Sequence, residues 1–554
     1  VDRATPPYSL LLPDFRQMTM KLSLKFIYNA ILSFFDFTAR RADIMHQPQA
    51  SAWGNPEKRG VASERRFLMS AFQVILLIIM MGCGERPKDV EKVSSLPPIF
   101  PDYIGVTVPA EIAPLNFSVT DAERVDVTIK GENGSELHSN GSYADFDIKE
   151  WHKLTEENKG KALTVSVIAK VYGKWLQYED FKINVSQYPL DEYGLTYRRI
   201  APGYEVYSKM GIYQRNLSNF DEFPIIENTL TDGQCYNCHT SNRTNPKDFV
   251  FHVRGEHGAT MISKGGECTW LKASNDTLGG SMVYPYWHPD GRYCAFSTNQ
   301  TRQGFHIAGK KRLEVFDLSS DVIVYDTEKN EILRDTLLNT KEWSENTPSF
   351  SPDGKWLYFT TCLQKNYPLE HKEEQYNLCR IAFDANTGRF GSQVDTLYNA
   401  VAVGKSVTWP RPSYDGKYLL FTLSDYGYFS IWHKESDQWL LDVATGEARP
   451  IEEINSDEAD SFHNWSDNSR WVVFTSRRHD GLYSHLYLTS IDDKGRFSKP
   501  FLLPQKNPEE YYSQSLYSFN TPDFTKEKVE FDSRAAVNAI LSDERVATTI
   551  NDKR

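Results

Sequence analysis

Cys235-Tyr236-Asn237-Cys238-His239 is the stretch whose residue types and spacing most plainly suggest chemistry. Two thiols two residues apart, followed at once by an imidazole, form the attachment signature of a c-type haem. Each thiol would bond one vinyl group of a single porphyrin, and His239 would offer nitrogen to the iron. Downstream, Phe249-Val-Phe-His-Val-Arg254 alternates like a strand, so Val250, His252 and Arg254 share one face. His252 is then the expected sixth ligand, with Arg254 meeting a propionate. Met261 is the rival, as a thioether that would raise the potential, and His257 a third choice. The same residues leave two other readings open. Cys235, Cys238, His252 and His257 have zinc-finger spacing, although Gly255 and Gly258 interrupt the helix that a finger needs. A disulfide or redox-active dithiol between Cys235 and Cys238 is the other.

The rest of the chain sets the context. At 554 residues it exceeds one ordinary core and predicts two or three domains. Abundant Trp and Tyr with little helical apolar periodicity favour β-structure. The net charge is −12, which argues against nucleic acid as a partner. Residues 61–83 read as a lipoprotein signal: Arg65-Arg66, an apolar run from Phe67 to Met81, then Gly82-Cys83. The run is shorter than the ~18 residues of a spanning helix. Met80-Met81-Gly82-Cys83 resembles a bacterial lipobox, which implies a lipid-modified Cys83 as the first mature residue. A signal should begin a chain, so residues 1–60 are expected to be absent from the mature protein, with the true start near Val61 or Met69. Residues 84–99 read as a tether holding the body off a membrane.

Residues 100–186 alternate in short runs (Val125, Val127, Ile129; Leu163, Val165, Val167; Phe181, Ile183, Val185) with a turn at Gly131-Glu-Asn-Gly134. An immunoglobulin-like β-sandwich is the expectation. Residues 187–283 hold the Cys-x-x-Cys-His segment and one or two degenerate repeats. From 284 to 531 the repetition is overt. Trp287-His-Pro-Asp-Gly-Arg-Tyr-Cys-Ala-Phe296 recurs as Phe350-Ser-Pro-Asp-Gly-Lys-Trp-Leu-Tyr-Phe359, then at Pro412–Phe421 and Trp465–Phe474. A tight turn, a strand and a second strand at each copy are the sequence form of a β-propeller blade. Four blades are overt, six are expected in total, and Tyr517–Phe531 is expected to supply a closing strand. Residues 532–554 read as a short C-terminal helix and tail. Asp290, Asp353 and Asp415 are expected to cap their turns, with His288 in a structural slot shared with Ser351, Ser413 and Ser466. Cys362 and Cys379, on successive strands of one blade, form a candidate disulfide. These copies resemble the WD-like repeats of the TolB propeller family, periplasmic proteins of the Tol system.

No Gly-x-Ser-x-Gly elbow is present, so the peptidases that carry propellers offer no catalytic template. No Walker loop or dinucleotide fingerprint appears, which excludes nucleotide by motif. Two functional classes remain. One is an envelope lipoprotein with one covalent haem c, transferring electrons to a redox partner or sensing redox state, its propeller a docking scaffold. The other is a TolB-like envelope binding or interaction protein without haem. No catalytic residue is identified, and the expected location is the periplasm-facing surface of a membrane, the outer one by resemblance to Gram-negative lipoproteins.

Overall fold

The computed structural model describes residues 86–552 apart from 202–208, 273–277 and 279. Cys83 and the signal segment therefore lie outside the described residues.

The N-terminal domain is built on Ala122–Lys130, where Val125, Val127 and Ile129 point inward and their neighbours outward. Ala162–Val171 pairs with it along one edge. Its other edge is shared, first by Phe181–Val185 and then by Lys174–Gln177. Because that strand is long enough to hold three partners, these strands join Glu136–Gly141, Thr107–Val108 and Glu91–Lys92 in one mixed seven-stranded sheet, where two facing sheets of a sandwich are expected. A short ribbon, Ile99–Phe100 with Ser118–Val119, stands beside it. Helix Ile148–Glu157, unanticipated, starts at Asp147, whose carboxylate accepts from the N–H groups of Lys149 and Glu150. It buries Trp151 and Leu154 in the sheet's core. The segment expected as a tether contributes too: Glu91–Lys92 pairs in parallel with Leu176 and Gln177.

Residues from Gly194 onward form six sheets, each with four antiparallel strands and one with a fifth, parallel strand added, a six-bladed β-propeller. Blade 1 combines Gly194–Ile200, Gly211–Asn216 and Glu222–Glu227 with an innermost strand from the far end of the chain, Ser518–Thr525. Blade 2 runs from Cys235 to Lys272 and blade 3 from Ser281 to Leu333. Blade 4 spans Trp343–Tyr398, blade 5 Ser406–Pro450 and blade 6 Asp460–Leu502. Apolar side chains fill the wedges between blades. Phe249, Phe251 and Val253 face Ile212 and Ile226 of blade 1, and Val250, on the opposite face, meets Trp287 and Phe296 of blade 3.

The Asp-Gly turns join the first two strands of their blades. Asp290, Asp353 and Asp415 accept from the backbone N–H two residues on, as does Asn468 in blade 6. His288 Nδ1 lies 2.7 Å from Asp290 Oδ1, where Ser351, Ser413 and Ser466 hydrogen-bond the matching side chains.

The N-terminal domain docks on blades 6 and 1. Tyr103 donates to the Leu502 carbonyl, and Trp471 Nε1 and Asn468 donate to the Pro189 carbonyl. Past blade 1's inner strand, helix Ser533–Leu541 buries Ala536 and Ile540 on the blade 1–2 wedge. Asp543 then pairs with His257, Val546 bridges to Leu271 at blade 2's edge, and Thr549–Asn551 adds a parallel strand to blade 3.

Candidate functional site

Each of the six inner strands contains a β-bulge centred on a non-glycine residue of positive φ: Cys238 (52°), Tyr284 (50°), Thr347 (46°), Trp409 (57°), Phe462 (44°) and Thr521 (47°). At every one the register slips by one residue against the next strand. Aligning the bulges exposes a repeat absent from the sequence-based reading. Cys-Tyr-Asn-Cys-His239 stands over Ser-Met-Val-Tyr-Pro285, Ser-Glu-Asn-Thr-Pro348, Ser-Val-Thr-Trp-Pro410, Ala-Asp-Ser-Phe-His463 and Ser-Phe-Asn-Thr-Pro522. Cys235 holds a slot otherwise filled by Ser or Ala. His239 holds the slot of proline in four blades and of His463 in blade 6. The motif that looked like a cofactor attachment site is blade 2's copy of a propeller element.

The side chains follow the backbone. Cys235 is half-buried in the wall of an axial cavity. Cys238, 2% exposed, packs in the axial cluster with Tyr284, Trp409 and Phe462. His239, 4% exposed, turns the other way, with its ring against Phe249 on the blade 1 side. Burial pulls its pKa down to about 4. His252 shares the face of Val250 and Arg254, toward blade 3; its Nδ1 lies 3.1 Å from Thr260 Oγ1 and burial takes its pKa to about 3. His239 and His252 thus lie on opposite faces of one sheet and do not converge on a common iron. Met261 is on His239's face but two strands out, paired with Phe251, so the phenyl ring occupies the place between them. His257 is held by Asp543 at 2.9 Å. As arranged, these residues do not fit a haem. The adjoining cavity, ≈ 100 Å³, is small even beside the roughly 300–1,000 Å³ of ordinary ligand pockets. Nor do they gather as a zinc site: among the described residues no group of three or more His, Cys, Asp or Glu is placed to hold a metal.

Cys362 and Cys379 are also free thiols. Cys379 pairs with Phe359, three residues before Cys362, so the two sulfurs emerge on opposite faces of blade 4. Cys379 joins the blade 3–4 wedge and Cys362 the axial cluster, which rules out the anticipated bridge.

The axial cavity is the site that the repeat builds. Its walls are inner-strand residues, among them Cys235, Asn237, Tyr284, Phe462, Asn520 and Thr521. Blade 3 roofs it, because its two middle strands, Tyr293–Phe305 and Leu313–Asp326, are far longer than their counterparts. Thr301, Gln303, Leu313 and Val315 of this arm line the cavity. Glu314 pins the arm down, accepting from His433 Nε2 at 2.9 Å and pairing with Lys311. Blade 5 closes the other side with Tyr428, Phe429, Ile431 and Trp432. At the arm's root lies an acidic pair. Asp317 Oδ2 accepts from Asn299 and Asn346, and the Tyr376 hydroxyl lies 3.2 Å from it and 3.3 Å from Glu374 Oε1. Burial raises both acids, Asp317 to about 6.

Three arginines reach the cavity: Arg198, Arg254 and Arg477. Arg198 Nη2 donates to Cys235 Sγ at 3.4 Å. Arg477 lies 3.4 Å above the Trp432 ring, and burial lowers its pKa to about 9. Of these only Arg254 drew notice in the sequence. Arg198 and Arg477 carry no motif, and only the ring closure brings them together.

Fold and site together define a six-bladed propeller with a roofed axial cavity. No family model matches the chain, and no curated protein matches it. Among solved structures, TolB from Acinetobacter baumannii is similar at 13% identity and TM-score 0.39, over 69% of this chain and 86% of that one. Prolyl oligopeptidase B from Galerina marginata is similar at 14% identity and TM-score 0.33, over 57% of this chain but 45% of its own length. The β-propeller domain of the Trilobed protease from Pyrococcus furiosus gives 13% identity and TM-score 0.29, over 61% and 81%. The propeller assignment rests on the six sheets themselves.

Proposed function

We propose that this chain is a non-catalytic, TolB-like binding protein of the bacterial cell envelope, lipid-anchored through Cys83, whose ligand seats in the axial cavity of the propeller. One observation carries this reading: the cavity is roofed by a blade 3 arm and a blade 5 loop while its wall retains polar donors without protein acceptors, Arg477 Nη2 among them. Buried donors left in this way cost stability unless a ligand or water satisfies them. The Arg65–Cys83 segment supports the envelope address. Neither haem chemistry nor electron transfer enters the reading, since the two thiols and His239 belong to the repeat.

A thermal-shift screen of small molecules on the full chain tests it. A ligand at one hundred times its Kd should stabilise by about 2.7 kcal/mol, and the cavity-filling Cys235→Phe should abolish that shift without lowering the resting Tm by a comparable amount. A shift that survives Cys235→Phe would place the ligand elsewhere. Expression beside c-type haem-maturation machinery should give a colourless product. A covalent haem that disappears in Cys235→Ala/Cys238→Ala would overturn the reading, and Cys83→Ser should release the protein from membranes.

A further inference from the structure

The charge of the cavity wall is opposite to that of the protein. The chain carries 74 acidic and 62 basic side chains, and its arginines are commonly matched with carboxylates: Arg292 with Asp326, Arg478 with Asp460, Arg243 with Asp467, Arg380 with Asp395. The three that reach the cavity are not. Among the described residues no Asp or Glu lines it. Arg254 makes no salt bridge and no side-chain hydrogen bond there, and Arg198 donates only to a sulfur. Arg477 is 3% exposed; its Nε and Nη1 are taken by the carbonyls of Ile431 and Leu482, while Nη2 is buried without a partner. Asp480 and Glu458 act on Arg477 only at a distance, without a salt bridge; a buried cation with no carboxylate in contact is costly, and an incoming anion offsets that cost directly. A guanidinium also matches a carboxylate in plane and spacing.

From this geometry we propose that the cavity binds a small organic carboxylate, its charged end held by Arg198, Arg254 and Arg477 and its apolar body against Tyr428, Trp432 and Phe462. The proposal rests on the binding reading above and adds the ligand's chemical class. Size follows from volume. A cavity of ≈ 100 Å³ is smaller than the roughly 150 Å³ that admits a benzene ring, so a benzoate marks the upper limit of the body it takes. The surrounding rings offer flat apolar surface to such a body.

Two cysteines of the same blade make the test internal. Cys235 lines the cavity, and Cys268 is exposed on blade 2's outer strand. The full chain is alkylated with iodoacetate, an anion, and with iodoacetamide, its neutral counterpart, and each cysteine is followed by peptide mass. A cation-lined cleft concentrates anions, so the iodoacetate-to-iodoacetamide rate ratio at Cys235 should exceed that at Cys268 by about 10- to 100-fold. Arg254→Gln, or Arg198→Gln if the first variant does not fold, should bring the two ratios together. Benzoate should protect Cys235 but not Cys268, while benzamide and benzylammonium should protect neither. Inorganic phosphate protecting as well as benzoate would show a bare anion hole and overturn the carboxylate assignment. Equal rate ratios at the two cysteines, with benzamide as protective as benzoate, would overturn the proposal while leaving a cavity that binds. Loss of both proposals would show as no protection by any probe and no heat from benzoate in calorimetry.

Discussion

Blades 2 and 6 share an unusual inner strand and differ in what they suggest. Both put histidine where the other four have proline, directly after a bulge residue of positive φ. Both histidines are nearly sealed, and burial takes their pKa to about 4 for His239 and about 3 for His463. In blade 6 the preceding residues are Ala459 and Phe462, and nothing resembles a cofactor motif. In blade 2 they are Cys235 and Cys238, and the same backbone reads as Cys-x-x-Cys-His. The difference lies in two side chains on a common scaffold. A short motif inside a repeat protein is best compared with its sister copies before it is given chemistry.

The largest effect that should separate slot from neighbour is a proline scan of blade 2. His239→Pro restores what four blades already carry and should cost about 1 kcal/mol or less. Ser241→Pro, two residues on, deletes the N–H that donates at 2.7 Å to buried Asp523 and should cost about 3 kcal/mol or more. Urea unfolding of both variants is the measurement; equal losses would mean that the blades are not equivalent at this position. Next in size is acid sensitivity. The native pKa values of His239 and His463 lie below 6.5, so as pH falls through 6.5 the unfolded chain takes up protons that the native chain refuses. Stability should therefore drop between pH 6.5 and about 4, by up to about 1.4 kcal/mol per pH unit for each histidine. Burial lowers His252 and His485 in the same way, so His239→Pro/His463→Pro should reduce that slope without abolishing it, and an unchanged slope would show that neither ring stays neutral in the fold. The smallest effect concerns the thiols. Cys235→Ser/Cys238→Thr copies the sister strands and should shift unfolding by about 1 kcal/mol or less; a collapse of the fold would give the cysteines a role outside the repeat.

Blades 3 to 6 were legible because their first turns need a residue that tolerates φ > 0 and a side chain that caps it, and Asp-Gly or Asn-Ser provides both. Blades 1 and 2 lack that signal for separate reasons. Blade 2's turn, Asn242–Asn245, places Arg243 and Thr244 at φ 46° and 70° with no glycine. Blade 1 has no corresponding turn, since its innermost strand arrives from residue 518. The inner-strand repeat was harder to see because what recurs is a backbone conformation, and the residue adopting it is Cys, Tyr, Thr, Trp, Phe or Thr in turn. Helix Ile148–Glu157 was missed in a region read for alternation only. The arginine cluster could not be read at all, for Arg198, Arg254 and Arg477 lie on three blades and meet only at the axis.

The late arrival of Ser518–Thr525 also fixes a timetable. The outer strands of blade 1 are finished by Glu227, yet they wait for about three hundred further residues before their innermost partner exists, a separation of the kind that slows folding. Throughout the synthesis of those residues blade 1 is incomplete. All that while, the free edge of Gly194–Ile200 is open to pairing with another chain. The seam that closes the ring is therefore where folding helpers would matter most to its yield.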